Sequence, residues 1–325
     1  MKIRVPEYFT DFKCIADKCR DSCCIGWEID VDDGARQKYE ALDSELGREI
    51  CEKTSHGCFP LAENGRCAFL DEKGLCRIIS ALGDGYLCDI CREHPRYYNV
   101  SGGVSEGGLG LGCEEAARII LALDRLPRMV EVEHTAPQLD EDNTAISEEI
   151  REMLFKAIFK EDIRYLAGLY KDCATVGDGI AFDVATSGKT DTVPNATEPR
   201  PITEEELAEL YDNILSLVNE CESLNDEWEG YVARIRVMDP ENALARLDGM
   251  RGLIYYFTHR YVVGGIDDMT LGGRILFAFA SALTVAAISE ILDGEDAEIL
   301  AATAYSKNIE YSTDNVDYIL ENLNL

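Results

Sequence analysis

Residues 14–24, CIADKCRDSCC, place four cysteines in eleven positions, the last two adjacent. Thiols this dense commit a fold to disulfides, to a metal, or to chemistry on the sulfur itself. Eleven of the 13 cysteines lie in residues 1–113, with only Cys173 and Cys221 beyond. An odd total fits a complete disulfide set poorly. The opening MKIRVPEYFTDFKC has neither the apolar run nor the small-residue cleavage site of a secretory signal. A cytoplasmic location is therefore expected, where thiols stay reduced and such spacing means metal or catalysis more often than staples.

Beyond the opening cluster come Cys67 and Cys76 flanking AFLDEKGL, Cys88 and Cys91 in CDIC, and Cys113. With Cys14, Cys19, Cys23 and Cys24 they make nine candidate ligands. Thiolates are soft donors suited to zinc or iron–sulfur centres. Nine exceed one mononuclear site but suffice for one cluster with bystanders, or for two centres. Neighbouring side chains diverge, so Cys23 and Cys24 are expected to serve different centres unless one is a bystander. CDIC also matches a redox dithiol, though no thioredoxin-like βαβ pattern surrounds it. Inert buried thiols are the third reading. Zinc favours paired CxxC units, and only one is present, so the spacing leans slightly towards an iron–sulfur cluster, with zinc as the alternative. Cys51 and Cys58 fall outside the pattern; His94, in CREHPR, is a possible additional ligand. After Cys19 and Cys23 the next slot of a radical-type C-x3-C-x2-C is Gly26, so that motif is absent.

Two other motifs fail on context. EGGLGLG (106–112) resembles a nucleotide-binding glycine loop, but no buried apolar strand precedes it. DVDDG (30–34) has Ala41 where a calcium loop needs glutamate.

The net charge of −31 is concentrated after residue 113, where 42 acidic residues face 17 basic ones. Such a surface repels phosphate backbones, which argues against nucleic acid as a partner. The most apolar run, residues 275–292, contains Ser281, Thr284, Ser289 and Glu290, and reads as a buried core helix rather than a membrane span.

The expected architecture is mainly α: a small cysteine-rich metal-binding domain with a short hairpin over residues 1–125, then an all-α domain over 126–325. In the first domain the pattern predicts a helix from Asp32–Asp33 to Lys53 and another after Cys113. Between them, RYYNVSGGVSEGGLGLGC reads as a hairpin turning at Ser-Gly-Gly. In the second domain, apolar spacing of three and four predicts helices from 144, then at 203–229, 240–263, 270–293, 295–306 and 313–323. Residues 176–202, rich in Gly, Thr, Pro and Asp, read as a loop or linker.

Four segments occur in a familiar order: YFTDFKCIADKCRDSCCIGWEIDVD, CAFLDEKGLCRI, LCDICREHPRYYN and LGCEEAARIIL. With GLIYYFTHRYVVGGID and YSKNIEYSTDNVDYILENL they resemble the flagellin lysine-N-methylase family, whose N-terminal part belongs to a wider group of zinc- or iron-chelating proteins. The resemblance implies methyl transfer from S-adenosylmethionine to lysine ε-amines of flagellin, with an iron–sulfur or zinc centre held by the nine cysteines. A lysine amine attacks a sulfonium methyl only when neutral and in line, so a phenol or carboxylate is wanted beside it, with aromatic faces for the cations. Tyr255, Tyr256, Arg260, Tyr261, Glu310 and Tyr311 are the candidates, Tyr255, Tyr256, Tyr261 and Glu310 foremost. The rival readings are a non-catalytic iron- or zinc-handling protein and an interaction protein stapled by structural zinc.

Overall fold

The computed structural model describes residues 2–20, 23–26, 29–63, 65–101, 104–133, 145–187, 200–263 and 270–323. The chain is mainly α: among these residues fifteen α-helices accompany one four-stranded and one two-stranded sheet. They form two compact units. One comprises residues 12–97 and 113–115 and carries the nine candidate ligands; the other comprises 1–11, 98–112 and 116–325.

The helical unit is built round the Leu271–Ile291 helix, which packs against Ile163–Ser187, Pro240–Asp248, Arg251–Tyr261, Ala297–Tyr305 and Glu204–Glu220. It is long and apolar enough to cross a membrane, and 94% of its most apolar window is buried within the protein. Its polar side chains are satisfied inside that core. Thr284 donates to the Ala280 carbonyl at 2.8 Å, Ser289 to Ala286 at 2.8 Å, and Tyr305 donates to Ser281 at 2.8 Å. Phe277, Phe279, Leu283 and Ile288 are completely buried, each contributing about 2 kcal/mol of transfer free energy.

Three expected helices are each two. Asp33–Glu40 ends before Ser44, whose hydroxyl accepts from Gly47 N to start Glu45–Lys53. Glu204–Glu220 ends at the extended Cys221, and Asn225 caps Asp226–Ile235. Pro240–Asp248 stops at Gly249, and Arg251–Tyr261 restarts after Met250. At the first two breaks a short polar side chain takes a backbone N–H that a continuous helix would have used.

The expected loop at 176–202 is corrected over its first part, which continues the Ile163–Ser187 helix. The glycine that suggested a linker is there for packing: a Cβ on Gly177 would stand 3.1 Å from Leu271. The following Asp178 accepts a hydrogen bond from the Gly272 backbone at the start of the core helix, and its pKa is raised by burial. Residues 188–199 lie outside the described residues.

The hairpin strands Arg96–Ser101 and Val104–Leu109 are neighbours in the four-stranded sheet; their turn lies outside the described residues. The sheet has two strands the pattern did not announce. Lys2–Pro6 runs parallel to Val104–Leu109, with Arg4 opposite Glu106, and antiparallel to Met129–Glu133. A boundary at residue 125 therefore cuts across the helical unit, which takes its sheet from both sides of the cysteine segment.

Candidate functional site

In the cysteine unit, Ile29, Val31, Tyr39, Ile50, Phe59, Phe69 and Ile78 form a small core, with Phe59 and Phe69 edge-to-face at 5.5 Å. Cys88 lies inside it, and Cys67, Cys76 and Cys91 pack on its edge. None of the thirteen cysteines is in a disulfide.

The thiols fall into two neighbourhoods that meet at the adjacent pair. Cys23 and Cys24 have sulfurs 3.9 Å apart. Their hydrogen bond, burial, and the charges of Cys24, Cys113 and Cys14 push the Cys23 thiol up. Cys24 also acts, with Cys76 and Cys88, on Cys67, whose pKa is pushed up to about 11, chiefly by burial. Hydrogen bonding to Cys88, then burial, raises Cys91, with Cys24 and Cys76 also contributing; the same Cys88–Cys91 bond lowers Cys88. One neighbourhood is thus Cys14, Cys23 and Cys113, the other Cys67, Cys76, Cys88 and Cys91, with Cys24 reaching both. Among the described residues no three Cys, His, Asp or Glu side chains stand ready to hold a metal ion. His94 closes the short Asp89–Glu93 helix. Cys19 lines a groove of about 280 Å³ with Asp17, Arg20, Arg66, Asp71 and Lys73, so the groove carries both signs of charge. Its wall includes Ala16, at φ 51° the one non-glycine residue in the left-handed region among those described, a conformation that clusters at functional sites.

In the helical unit the foremost candidates separate. Tyr256 and Tyr261 donate to the same oxygen, Glu310 Oε1, at 2.7 and 2.8 Å. Arg260 donates to the Tyr256 hydroxyl at 2.5 Å and stands 3.2 Å from Glu310 Oε1, its guanidinium over both tyrosine rings. Glu310 ends the Ser306–Glu310 π-helical turn, where Tyr311 N bonds the Ser306 carbonyl five residues back. Such turns shift a helix face by one residue and recur at functional sites. The Glu310 side chain is wholly buried, and its Oε2 has no hydrogen-bond partner among the described residues. Burial raises both phenols well above the usual tyrosine value, outweighing the opposing Arg260 charge. The phenols are therefore donors, not bases; the group that accepts here is the carboxylate.

Tyr255 points elsewhere. It lines a cavity of about 70 Å³ with Phe155, His259, Glu106, Arg151 and Met129. Burial, then the Arg151 and Arg4 charges, lower His259 from 6.5 to about 3, so the imidazole is neutral. Sequence reading passed over Glu106, Arg151, Phe155 and His259, which lie on separate elements and share no motif. The one available signal was the i, i+4 spacing of Tyr255 and His259, which sets them on one helix face.

No family model matches the chain, and no solved structure matches it. Curated relatives do. Lysine-N-methylases of Salmonella choleraesuis (strain SC-B67) and Salmonella typhimurium (strain LT2) are each 33% identical over 126 residues, 36% of this chain and 31% of theirs. The flagellar biosynthetic protein FliU of Salmonella muenchen is 32% identical over 126 residues, covering 36% of this chain and 75% of that protein. The matched part spans about a third of the length of the two lysine-N-methylases. With three quarters of FliU matched at this identity, the chain belongs to the flagellin lysine-N-methylase family.

Proposed function

We propose that the protein is a cytoplasmic, S-adenosylmethionine-dependent protein-lysine N-methyltransferase acting on flagellin, with a cysteine-held iron–sulfur centre, 4Fe-4S, or zinc in its place. The observation that carries this reading is the similarity to proteins named lysine-N-methylase and FliU. The chemistry of the cysteine unit is consistent with it. Its thiols gather in two neighbourhoods joined at Cys23–Cys24 and are the soft donors a thiophilic metal takes, although no three of the described side chains are placed around one ion. Cys14, Cys19, Cys23, Cys24, Cys67, Cys76, Cys88, Cys91 and Cys113 are the residues that would hold it, and the centre would tie these short segments together.

S-adenosylmethionine, when bound, supplies an electrophilic sulfonium methyl. The chain's own residues have to hold the acceptor amine in line and take its proton. Buried carboxylates suit that second task, because the phenols of Tyr256 and Tyr261 stay protonated. Glu310 orients those phenols and Arg260 in one network.

The test is incubation of oxygen-protected protein with flagellin and methyl-labelled S-adenosylmethionine, read by mass spectrometry of flagellin lysines. Label in lysine is expected. Metal-loaded protein that neither binds S-adenosylmethionine by calorimetry nor labels flagellin would overturn the reading.

A further inference from the structure

The cavity at Tyr255 has three properties that together specify a ligand. Its first is an aromatic surface. Phe155 and Tyr255 have ring centroids 5.2 Å apart, Tyr255 and His259 5.7 Å, and Phe155 and His259 6.4 Å, all inclined by less than 40°. The faces of phenyl and phenol rings attract cations.

The second is charge. The ionisable side chains lining the cavity are Glu106, Glu148 and Glu152 against Arg4 and Arg151, with His259 neutral. The wall is therefore one negative charge in excess. Arg151 is already committed: its two terminal nitrogens donate to Glu106 Oε2 at 2.7 Å and Glu148 Oε1 at 2.6 Å. Glu106 Oε1 has Arg4 only at 3.6 Å, beyond hydrogen-bond reach, and so can still accept.

The third is an unmet hydrogen-bonding group. Arg151 is 2% exposed, and its Nε has no hydrogen-bond partner among the described residues. A buried donor in a cavity wall wants an acceptor, which a peptide carbonyl or an accompanying water supplies. The volume, about 70 Å³, admits a few heavy atoms in a row and no more.

We propose that this cavity binds a primary alkylammonium, the end of a lysine side chain, with its charge against Glu106 and Glu148 and its methylenes along Phe155 and Met129. Calling that lysine the methyl acceptor rests on the proposed function; the binding itself does not. Tyr255 is then a binding residue, supplying a ring face.

The experiment titrates n-butylammonium chloride into the full chain, followed by ligand-observed NMR, with sodium butyrate and 1-butanol as controls. Butylammonium is expected to bind in preference to both. Phe155→Ala removes one ring and Glu152→Gln one rim charge, and each is expected to weaken binding roughly fivefold. Glu152 is exposed, so that variant folds whatever Phe155→Ala does, and far-UV circular dichroism checks both. Butyrate binding in preference, no butylammonium binding to the wild type, or equal affinity in the Glu152→Gln variant would overturn the inference. Methyl transfer to flagellin measured on the same variants separates the two ideas. Transfer with an unchanged KM for flagellin in both variants rejects the cavity as the acceptor site and leaves the enzyme; butylammonium binding without any transfer does the reverse.

Discussion

Tyr256 and Tyr261, five residues apart on one helix, converge on a single oxygen of Glu310. They join the Arg251–Tyr261 helix to the π turn that precedes the last helix, and Arg260 adds the only positive charge in direct contact with that carboxylate among the described residues.

Breaking this cluster should cost unequally. Glu310→Gln leaves the partly exposed Arg260 beside a neutral amide and is expected to destabilise by about 2 kcal/mol. Tyr256→Phe and Tyr261→Phe should each cost about 1 kcal/mol. Because they share one acceptor, the double variant should depart from additivity. Urea unfolding of the wild type and these four variants measures both terms, and strict additivity of the two tyrosine changes would show that the shared oxygen does not couple them.

Acid should weaken the helical unit through His259. Its folded pKa of about 3 lies below the ordinary 6.5. Below pH 6.5 the unfolded chain therefore binds a proton that the folded chain does not, and stability falls as pH is lowered from 6.5 towards 3. For a fully buried imidazole the loss is on the order of several kcal/mol across that window. His259→Gln should flatten the slope between pH 7 and 4 in denaturant melts; an unchanged slope assigns the loss to other groups.

Two glycine substitutions should have opposite signs. A Cβ on Gly252 would sit 1.8 Å from the Ile120 carbonyl oxygen, a backbone atom that cannot swing away. Gly252→Ala is expected to destabilise by more than about 2 kcal/mol. Gly179, exposed on the Ile163–Ser187 helix, has nothing within 4 Å of a Cβ, and Gly179→Ala should stabilise by about 0.5–1 kcal/mol. Thermal melts of the two variants check this.

The thiol neighbourhoods predict which cysteines matter for metal. Anaerobic metal analysis should show loss of metal in Cys24→Ser, Cys88→Ser and Cys91→Ser, and none in Cys173→Ser, whose thiol is buried in the other unit with its pKa pushed up to about 12 by burial. Chelation should lower the melting temperature of the wild type and leave that of the Cys24→Ser variant unmoved. Full metal content in all three variants would refute the ligand set.

The sequence by itself determined what depends on local order. The 3.6-residue period announced the helices, and Ser281, Thr284 and Ser289 in an apolar run marked a core helix, because a small hydroxyl can satisfy itself on the carbonyl three or four residues back. Cysteine density marked one unit as distinct. Only the tertiary structure decided the rest. The period is blind to a cap inside a run, so Ser44 and Asn225 broke helices that read as continuous. Gly177 read as a linker residue, since composition cannot show that a neighbouring helix needs the space. Tyr255 and Tyr256 are adjacent in the chain yet serve different surroundings, as successive helix positions differ by about 100°. The cavity joins a residue of a sheet strand, Glu106, to residues of two helices, Arg151 and His259. Such a juxtaposition across separate elements leaves no periodic trace in the chain.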